Sequence, residues 1–395
     1  MSNKKNKNTM NFTQAQKYEI ILKEVKEKGF EYALSNSLTL LMQAEREIHN
    51  AENEDVSNGY RLRHTYGSGK VLELRVPRTR NGGFKPMLLG ILKSREQECR
   101  EIAFELYSNG LTTEQVGRIF DKIYGKSYSP SSISKMFDYA REEVKKWQER
   151  VLLSKYSVIY IDATFVSTRR IDKVSKEAYY VVLGIKEDAT REVLGIYNNP
   201  TESSSFYRYI LSDIIQRGVK EVNLFVSDAL IGIENVIWEY FPNADVQLCT
   251  CHFKRDCLLK AKREHKQEMA FDLKDVFRTD DSSDTLEKGK LRLKSFCDKW
   301  GKYYKSIKNI MNSERTKLYF TYIKFDYRVR SMIYTTNYIE RLNRDFKRTI
   351  KIRTSMPNED SVLLLMCSVA MRKQELFNKT LPRMKYDNIL FSQNI

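Results

Sequence analysis

No stretch of this 395-residue sequence approaches the roughly 20 consecutive apolar residues that a membrane-spanning helix needs. The longest candidate, Val362 to Met371, is about half that length and is interrupted by Ser368. No apolar segment follows the lysines of Met1–Lys7, so the N-terminus lacks the pattern of a secretory signal. Cysteine is sparse: six residues are scattered without the spacing of a disulfide framework, which predicts reduced thiols in a cytoplasmic protein. No internal repeat is evident. Acid is also short, with 51 Asp and Glu against 68 Lys and Arg, a net charge of +17. Such an excess attracts a polyanion, most commonly DNA or RNA; a basic ribosomal or membrane-surface protein is the alternative, and the chain's size argues against it. The remaining composition, 41% hydrophobic and 30% charged, is that of a folded protein long enough for two or three domains.

The organisation follows from periodicity. Apolar residues recur at helical spacing from Phe12 to about Ala51, with a break near Gly29. Asn58-Gly59 reads as a turn, and Lys70 to Pro77 alternates as a strand before a basic turn with Arg78, Arg80 and Lys85. Residues 1–95 are therefore read as a helical arm with a small basic strand region. Residues 96–150 are read as a helix-turn-helix-like domain. Its first helix would place Val116, Ile119, Phe120 and Ile123 on one face, and Gly125 would close it. Its second would start at Ser129-Pro130 and offer Ser131, Ser132 and Lys135 to DNA. After a linker near Trp147–Ser154, three strands (156–166, 177–187, 191–197) precede helix 202–217, strand 221–227, helix 232–241 and strand 245–251. That order predicts an α/β fold with a mixed sheet of the RNase H type. Residues 151–252 form its first part, 253–330 a charged helical insertion, and 331–395 a second part with a final helix from about Glu359 to Phe377.

Three acids stand out. Asp162 is read as ending the apolar strand Val158–Ile161, and Asp228 as ending Val222–Ser227; Glu340 lies on a predicted helix. On the first strand Val158, Tyr160, Asp162 and Thr164 share one face. A carboxylate on a central apolar strand is costly unless paired or metal-bound, and neither Asp has a local Lys or Arg. Mg²⁺ takes oxygen ligands, often only one or two carboxylates. A pair of such ions, Mg²⁺ with Mn²⁺ as a substitute, suits phosphoryl transfer, and three acids suffice to hold it.

In order along the chain, Asn58–Arg61, Pro77–Gly82, Phe84–Pro86, Tyr107–Gly110, Tyr124-Gly125, Ser129-Pro130, Tyr160–Ala163, Val226–Ala229, Phe241–Ala244, Gln247–Cys249, His252, Thr336–Glu340, Asn343, Lys351–Arg353 and Pro357 together resemble a bacterial DDE transposase of the IS256 group, within the Mutator superfamily. Ala229 stands where the family usually has Gly. The resemblance covers nearly the whole chain. It implies that Asp162, Asp228 and Glu340 are catalytic and metal-binding, with spacings (162 to 228, 66 positions; 228 to 340, 112 positions) that accommodate a helical insertion. It implies Mg²⁺-dependent cleavage and strand transfer, binding of terminal inverted repeats, double-stranded DNA as partner at transposon ends and target, a homodimer, no membrane, and a nucleoid-associated bacterial protein.

The family's Cys-x-x-His element is matched by Cys249 and His252. Cys251 and Cys257 nearby invite a zinc reading, but no second ligand pair is evident. A local role is favoured: His252 near the acids, contacting phosphate or supporting the site, with Cys249 supporting it or simply packing. Beyond Glu340, Arg341, Arg344, Lys347, Arg348, Lys351 and Arg353 form a basic run fit for DNA phosphates. Two alternatives stay open: a nuclease or resolvase of the same fold, and a domesticated DNA-binding regulator with an inactive site.

Overall fold

The computed structural model describes residues 14–67, 70–124, 130–170, 173–200, 204–351, 353, 356, 358–379 and 381. The chain packs as two units, one comprising residues up to Tyr107 with Thr112–Tyr139, the other Ser108–Leu111 with Ala140 onward. No described helix is long and apolar enough to cross a membrane.

The first unit begins with α1 (Gln14–Lys28) and α2 (Phe30–Asn53), separated at Gly29, whose φ of 87° lies where only glycine sits without strain. Next comes an antiparallel hairpin of β1 (Ser57–Gly67) and β2 (Lys70–Thr79). The sequence reading missed β1. Asn58-Gly59 is no hairpin turn but a register irregularity at the start of the strand, with Gly59 at φ 65°. The alternation read in β2 is real: Leu72, Leu74 and Val76 pack with Met42 of α2 in a small core.

Three helices follow, α3 (Met87–Ser108), α4 (Thr113–Tyr124) and α5 (Pro130–Glu149). Thr112 and Gln115 cap α4 reciprocally: the Thr112 hydroxyl accepts from the Gln115 N–H at 3.2 Å, and Gln115 Oε1 accepts from the Thr112 N–H at 2.8 Å. Val116 and Phe120 are buried as predicted, but Ile123 is exposed because the apolar stripe ends one turn early. Gly125 and Ser129 lie outside the described residues.

The second unit is a three-layer α/β structure. Its sheet runs β5-β4-β3-β6-β7, from β3 (Lys155–Arg169), β4 (Val174–Ile185), β5 (Arg191–Asn199), β6 (Glu221–Ser227) and β7 (Asp245–Leu248). β4 pairs antiparallel with both β3 and β5, while β6 pairs parallel with both β3 and β7, so the sheet is mixed. Val158–Ile161 are wholly buried because the central strand is covered on both faces. On one face, Ile159 and Ile161 join a core with α6 (Ser204–Gln216) and α7 (Ile233–Tyr240). Trp147–Ser154 is no free linker: Gln148 donates to the Ile196 carbonyl at 2.7 Å, and Arg150 bridges Glu192 and the Val193 carbonyl.

The segment after β7 is helical, as expected: α8 (Thr250–Lys260), α9 (Lys266–Val276), α10 (Leu286–Trp300), α11 (Lys305–Lys308), a 3₁₀ helix Glu314–Lys324 and α12 (Tyr327–Ile333). The 3₁₀ helix covers β7 at the sheet edge; Gln247 donates to the Tyr319 carbonyl and accepts from the Tyr322 N–H. Finally α13 (Asn337–Lys351) and α14 (Glu359–Phe377) return to the sheet, α13 on β3 and β4, α14 on β5 and β3.

Candidate active site

Asp162 does not end its strand. β3 continues beside β4 to Arg169, but its parallel partner β6 stops at Ser227, which pairs with Ile161. Asp162 therefore sits beside the point where β6 gives out, and Asp228 is the first residue past that end. Adjacent strands lie about 4.8 Å apart, so the strand register places the two acids side by side. The predicted face holds too. Tyr160 and Asp162 look toward α12 and α13: the Tyr160 hydroxyl donates to the Met332 carbonyl of α12 at 2.9 Å, its ring meets Tyr338 of α13, and Asn343 Nδ2 of α13 donates to Asp162 Oδ2 at 3.0 Å.

Glu340 lies on that helix, one turn before Asn343. Helix α13 is amphipathic for a visible reason: Ile339, Leu342, Asn343, Phe346 and Thr349 are buried, leaving Arg341, Arg344, Lys347, Arg348 and Lys351 exposed. Its start is anchored by Cys249. The Cys249 N–H donates to the Ser227 carbonyl at 2.7 Å, at the end of β6. Its Sγ contacts the Thr336 N–H and hydroxyl at 3.4 and 3.3 Å, and the Thr336 carbonyl accepts from the Glu340 N–H at 2.9 Å. Thr250 adds bonds from its N–H and hydroxyl to the Tyr334 carbonyl. This chain of contacts ties the Asp228 loop to the first turn of the Glu340 helix.

Cys249 thus does not alternate with Cys251 across a strand. β7 ends at Leu248, Cys249 caps α8, and Cys251 and His252 lie in its first turn. The Tyr334 carbonyl takes the Thr250 N–H that an extended strand would offer to a neighbour, and Thr336 holds the Cys249 sulfur.

The electrostatics show the three acids acting on one another. Burial pushes the Asp162 carboxyl up to about 7; His252 opposes that shift, while Asp228 and Glu340 add to it. His252 is held at about 9, first by the Cys249 side chain and then by Asp162 and Asp228, against the effect of burial. Its Nδ1 is buried without a hydrogen-bond partner, as is Oδ1 of Asn343. Asp228 accepts from the Tyr207 hydroxyl at 3.2 Å, and Glu340 from Arg255 Nη2 at 3.2 Å. Among the described residues no three His, Cys, Asp or Glu side chains form a cage around one point. Carboxylate oxygens are donors of the kind Mg²⁺ takes, one or two of them besides water and phosphate.

The other predicted residues lie on other elements. Arg78 and Arg80 are exposed and line a groove of about 630 Å³ in the first unit with Arg61, Arg63 and Lys85. Ser131, Ser132 and Lys135 fall in the first turns of α5, with side chains outside those described. Arg353 is not free for a ligand: its guanidinium donates to the carbonyls of Gly110 and Leu111. Sequence reasoning gave no role to Tyr207, Arg255, Thr336 or Asn343. Only Asn343 carried a local signal, since three residues after Glu340 place it on the same side of a helix.

A family model described as "Transposase, Mutator family" matches residues 1–380. The chain is 32% identical over 292 residues to the transposase for insertion sequence element IS905 of Lactococcus lactis subsp. lactis, covering 74% of this chain and 73% of that one. It is 26% identical over 343 residues to the transposase for IS256 in transposon Tn4001 of Staphylococcus aureus, covering 87% of each. Among solved structures it overlaps the Drosophila P element transposase strand transfer complex with a TM-score of 0.30 and 12% identity, over 73% of this chain and 83% of that chain. With a match running from the first residue through α14, this chain belongs to the Mutator family of transposases.

Proposed function

We propose that this transposase binds the terminal inverted repeats of an insertion sequence and uses Asp162, Asp228 and Glu340, with two Mg²⁺ ions, to cleave DNA and transfer the freed 3′-OH to a second strand. The observation that carries the reading is the buried Asp162 carboxylate on the central strand, with Asp228 at the end of the neighbouring strand and Glu340 on the facing helix. The strand order, with acids where the parallel half of the sheet ends, supports an RNase H-like catalytic core with residues 253–330 as its insertion.

Asp162, Asp228 and Glu340 would hold the ions, whose chemistry is to polarise the phosphate and activate the attacking oxygen. The protein's own part is positioning and charge. Asn343 fixes one oxygen of Asp162, and Tyr207 orients Asp228. His252, charged at neutral pH, faces the negative charge that a phosphodiester brings. The exposed Arg341, Arg344, Lys347, Arg348 and Lys351 would grip the flanking backbone. In the first unit, Arg78 and Arg80, with their groove neighbours, would take further phosphates, and Ser131, Ser132 and Lys135 would meet base edges. Two ends must be joined, which calls for a homodimer.

A labelled transposon-end duplex incubated with the full-length protein and Mg²⁺ tests this. The reading expects a joined product formed by the 3′-OH. Products containing only added water would identify a nuclease instead.

A further inference from the structure

Arg255 lies one turn after His252 on α8, so the two share a side of the helix. His252 interacts electrostatically with Asp162 and Asp228. Arg255 is turned to the third acid: its Nη2 is 3.2 Å from Glu340 Oε1 and 3.8 Å from Cys251 Sγ. The first turns of α8 therefore bring His252 and the Arg255 guanidinium to the acids.

Two features set the Arg255–Glu340 pair apart from a structural ion pair. The arginine is exposed, 52% for its side chain, whereas the glutamate is only 26% exposed. Arg255 also has no second carboxylate among the described residues, unlike Arg170, which is held by both Glu177 and Glu359. A half-buried carboxylate needs a counter-charge, and here an exposed guanidinium supplies it. A divalent cation seeking Glu340 would meet that guanidinium on the same oxygen. Once displaced, the guanidinium would remain on a helix next to the ion, where a substrate phosphate carries its charge. Arg is suited to that second partner, being planar, weakly hydrated and able to donate two parallel bonds to phosphate.

We propose that Arg255 holds the place of a metal ion on Glu340 in the free protein, and on loading releases the carboxylate and clamps the phosphate being attacked. This rests on the reading of Glu340 as a metal ligand. It makes Arg255 an opponent of metal binding and a helper of cleavage, and a merely structural residue would not separate those effects.

The test uses the full-length protein and two readouts. Mn²⁺ binding without DNA is followed by the electron paramagnetic resonance of the free ion. Single-turnover cleavage of a labelled transposon end is measured at saturating Mg²⁺. Arg255→Gln is expected to bind Mn²⁺ at least about threefold more tightly, because a positive charge beside the site is gone. It is expected to cleave about 100-fold more slowly, the usual cost of losing one donor to a charged transition state. Arg255→Lys should lie between it and the wild type in both; if Arg255→Gln fails to fold, as its metal-free melting would reveal, the lysine variant carries the test with the same signs. Unchanged or weaker Mn²⁺ binding overturns the proposal, and so does undiminished cleavage at saturating metal. Asp162→Asn, run in parallel, keeps the two claims apart: if it retains Mn²⁺ binding and cleavage, the catalytic reading itself fails whatever Arg255 does.

Discussion

The acid cluster of the second unit and the basic groove of the first are both charged surfaces, yet they are built by opposite means. Asp162 is 4% exposed, on a strand covered on both faces, and the side chain that donates to it, Asn343, lies 181 positions along the chain. Arg78 and Arg80 stand exposed on and beyond a two-stranded hairpin, each able to act without the other. A buried charge is governed by desolvation and by a few fixed partners, so single changes there have large, non-additive effects. Exposed cations are screened by salt and contribute in small, nearly independent steps. The proposed chemistry follows that division, with catalysis placed where charge is costly and DNA holding where it is cheap.

The sharpest contrast comes from the acids. Asp162→Asn, Asp228→Asn or Glu340→Gln should each lower cleavage at least about 1000-fold, while affinity for the transposon end, measured by gel shift in Ca²⁺, changes less than about threefold. Comparable losses from any single groove arginine would erase the distinction.

A second effect of Asp162 concerns folding without metal. Its carboxyl is raised to about 7 in the folded protein, against about 3.9 in an unfolded chain. Below about pH 4 both states are protonated and the group costs nothing. As the pH rises from about 4 to about 7 the unfolded state ionises while the folded carboxyl stays protonated, so stability is lost across that window and the loss is complete above about 7. Asp162→Asn should therefore stabilise the chelated protein at pH 8 by about 2–4 kcal/mol and leave it unchanged near pH 4, as followed by chemical denaturation. Equal gains at both pH values would place the effect in packing.

Asn343→Ala removes the donor that orients Asp162. It should raise the Mg²⁺ concentration for half-maximal cleavage about 10- to 100-fold, with the rate at saturating metal recovering in large part. In the groove, Arg78→Ala and Arg80→Ala should each weaken DNA binding about threefold, lower the slope of log affinity against log salt by about one, and spare the cleavage rate at saturating DNA.

How far the sequence disclosed all this depends on the range of the interactions. Local patterns were legible: the break at Gly29, the alternation of β2, the burial of Val116 and Phe120, and the shared face of Tyr160 and Asp162. So was the basic face of α13, because helical spacing alone separates Arg341, Arg344 and Arg348 from Ile339 and Leu342. What failed depended on distant partners. Asp162 looked like a strand end because the apolar run stops there, but β4 carries the strand on by pairing. Cys249–Cys251 looked extended because nothing local announces that Tyr334 and Thr336, more than eighty positions on, bond to Thr250 and Cys249. Arg353 looked like another phosphate ligand in a basic run, and only the fold brings the Gly110 and Leu111 carbonyls to it.

The central claim is that three acids far apart in sequence hold one pair of ions. Its most direct test is a crystal structure of the full chain bound to transposon-end DNA and Mn²⁺, with the metal located by anomalous scattering. The account predicts two ions about 3.5–4 Å apart, ligated by Asp162, Asp228 and Glu340 beside the scissile phosphate. Ions bound elsewhere, or any of the three carboxylates more than about 10 Å from the metal pair, would contradict it.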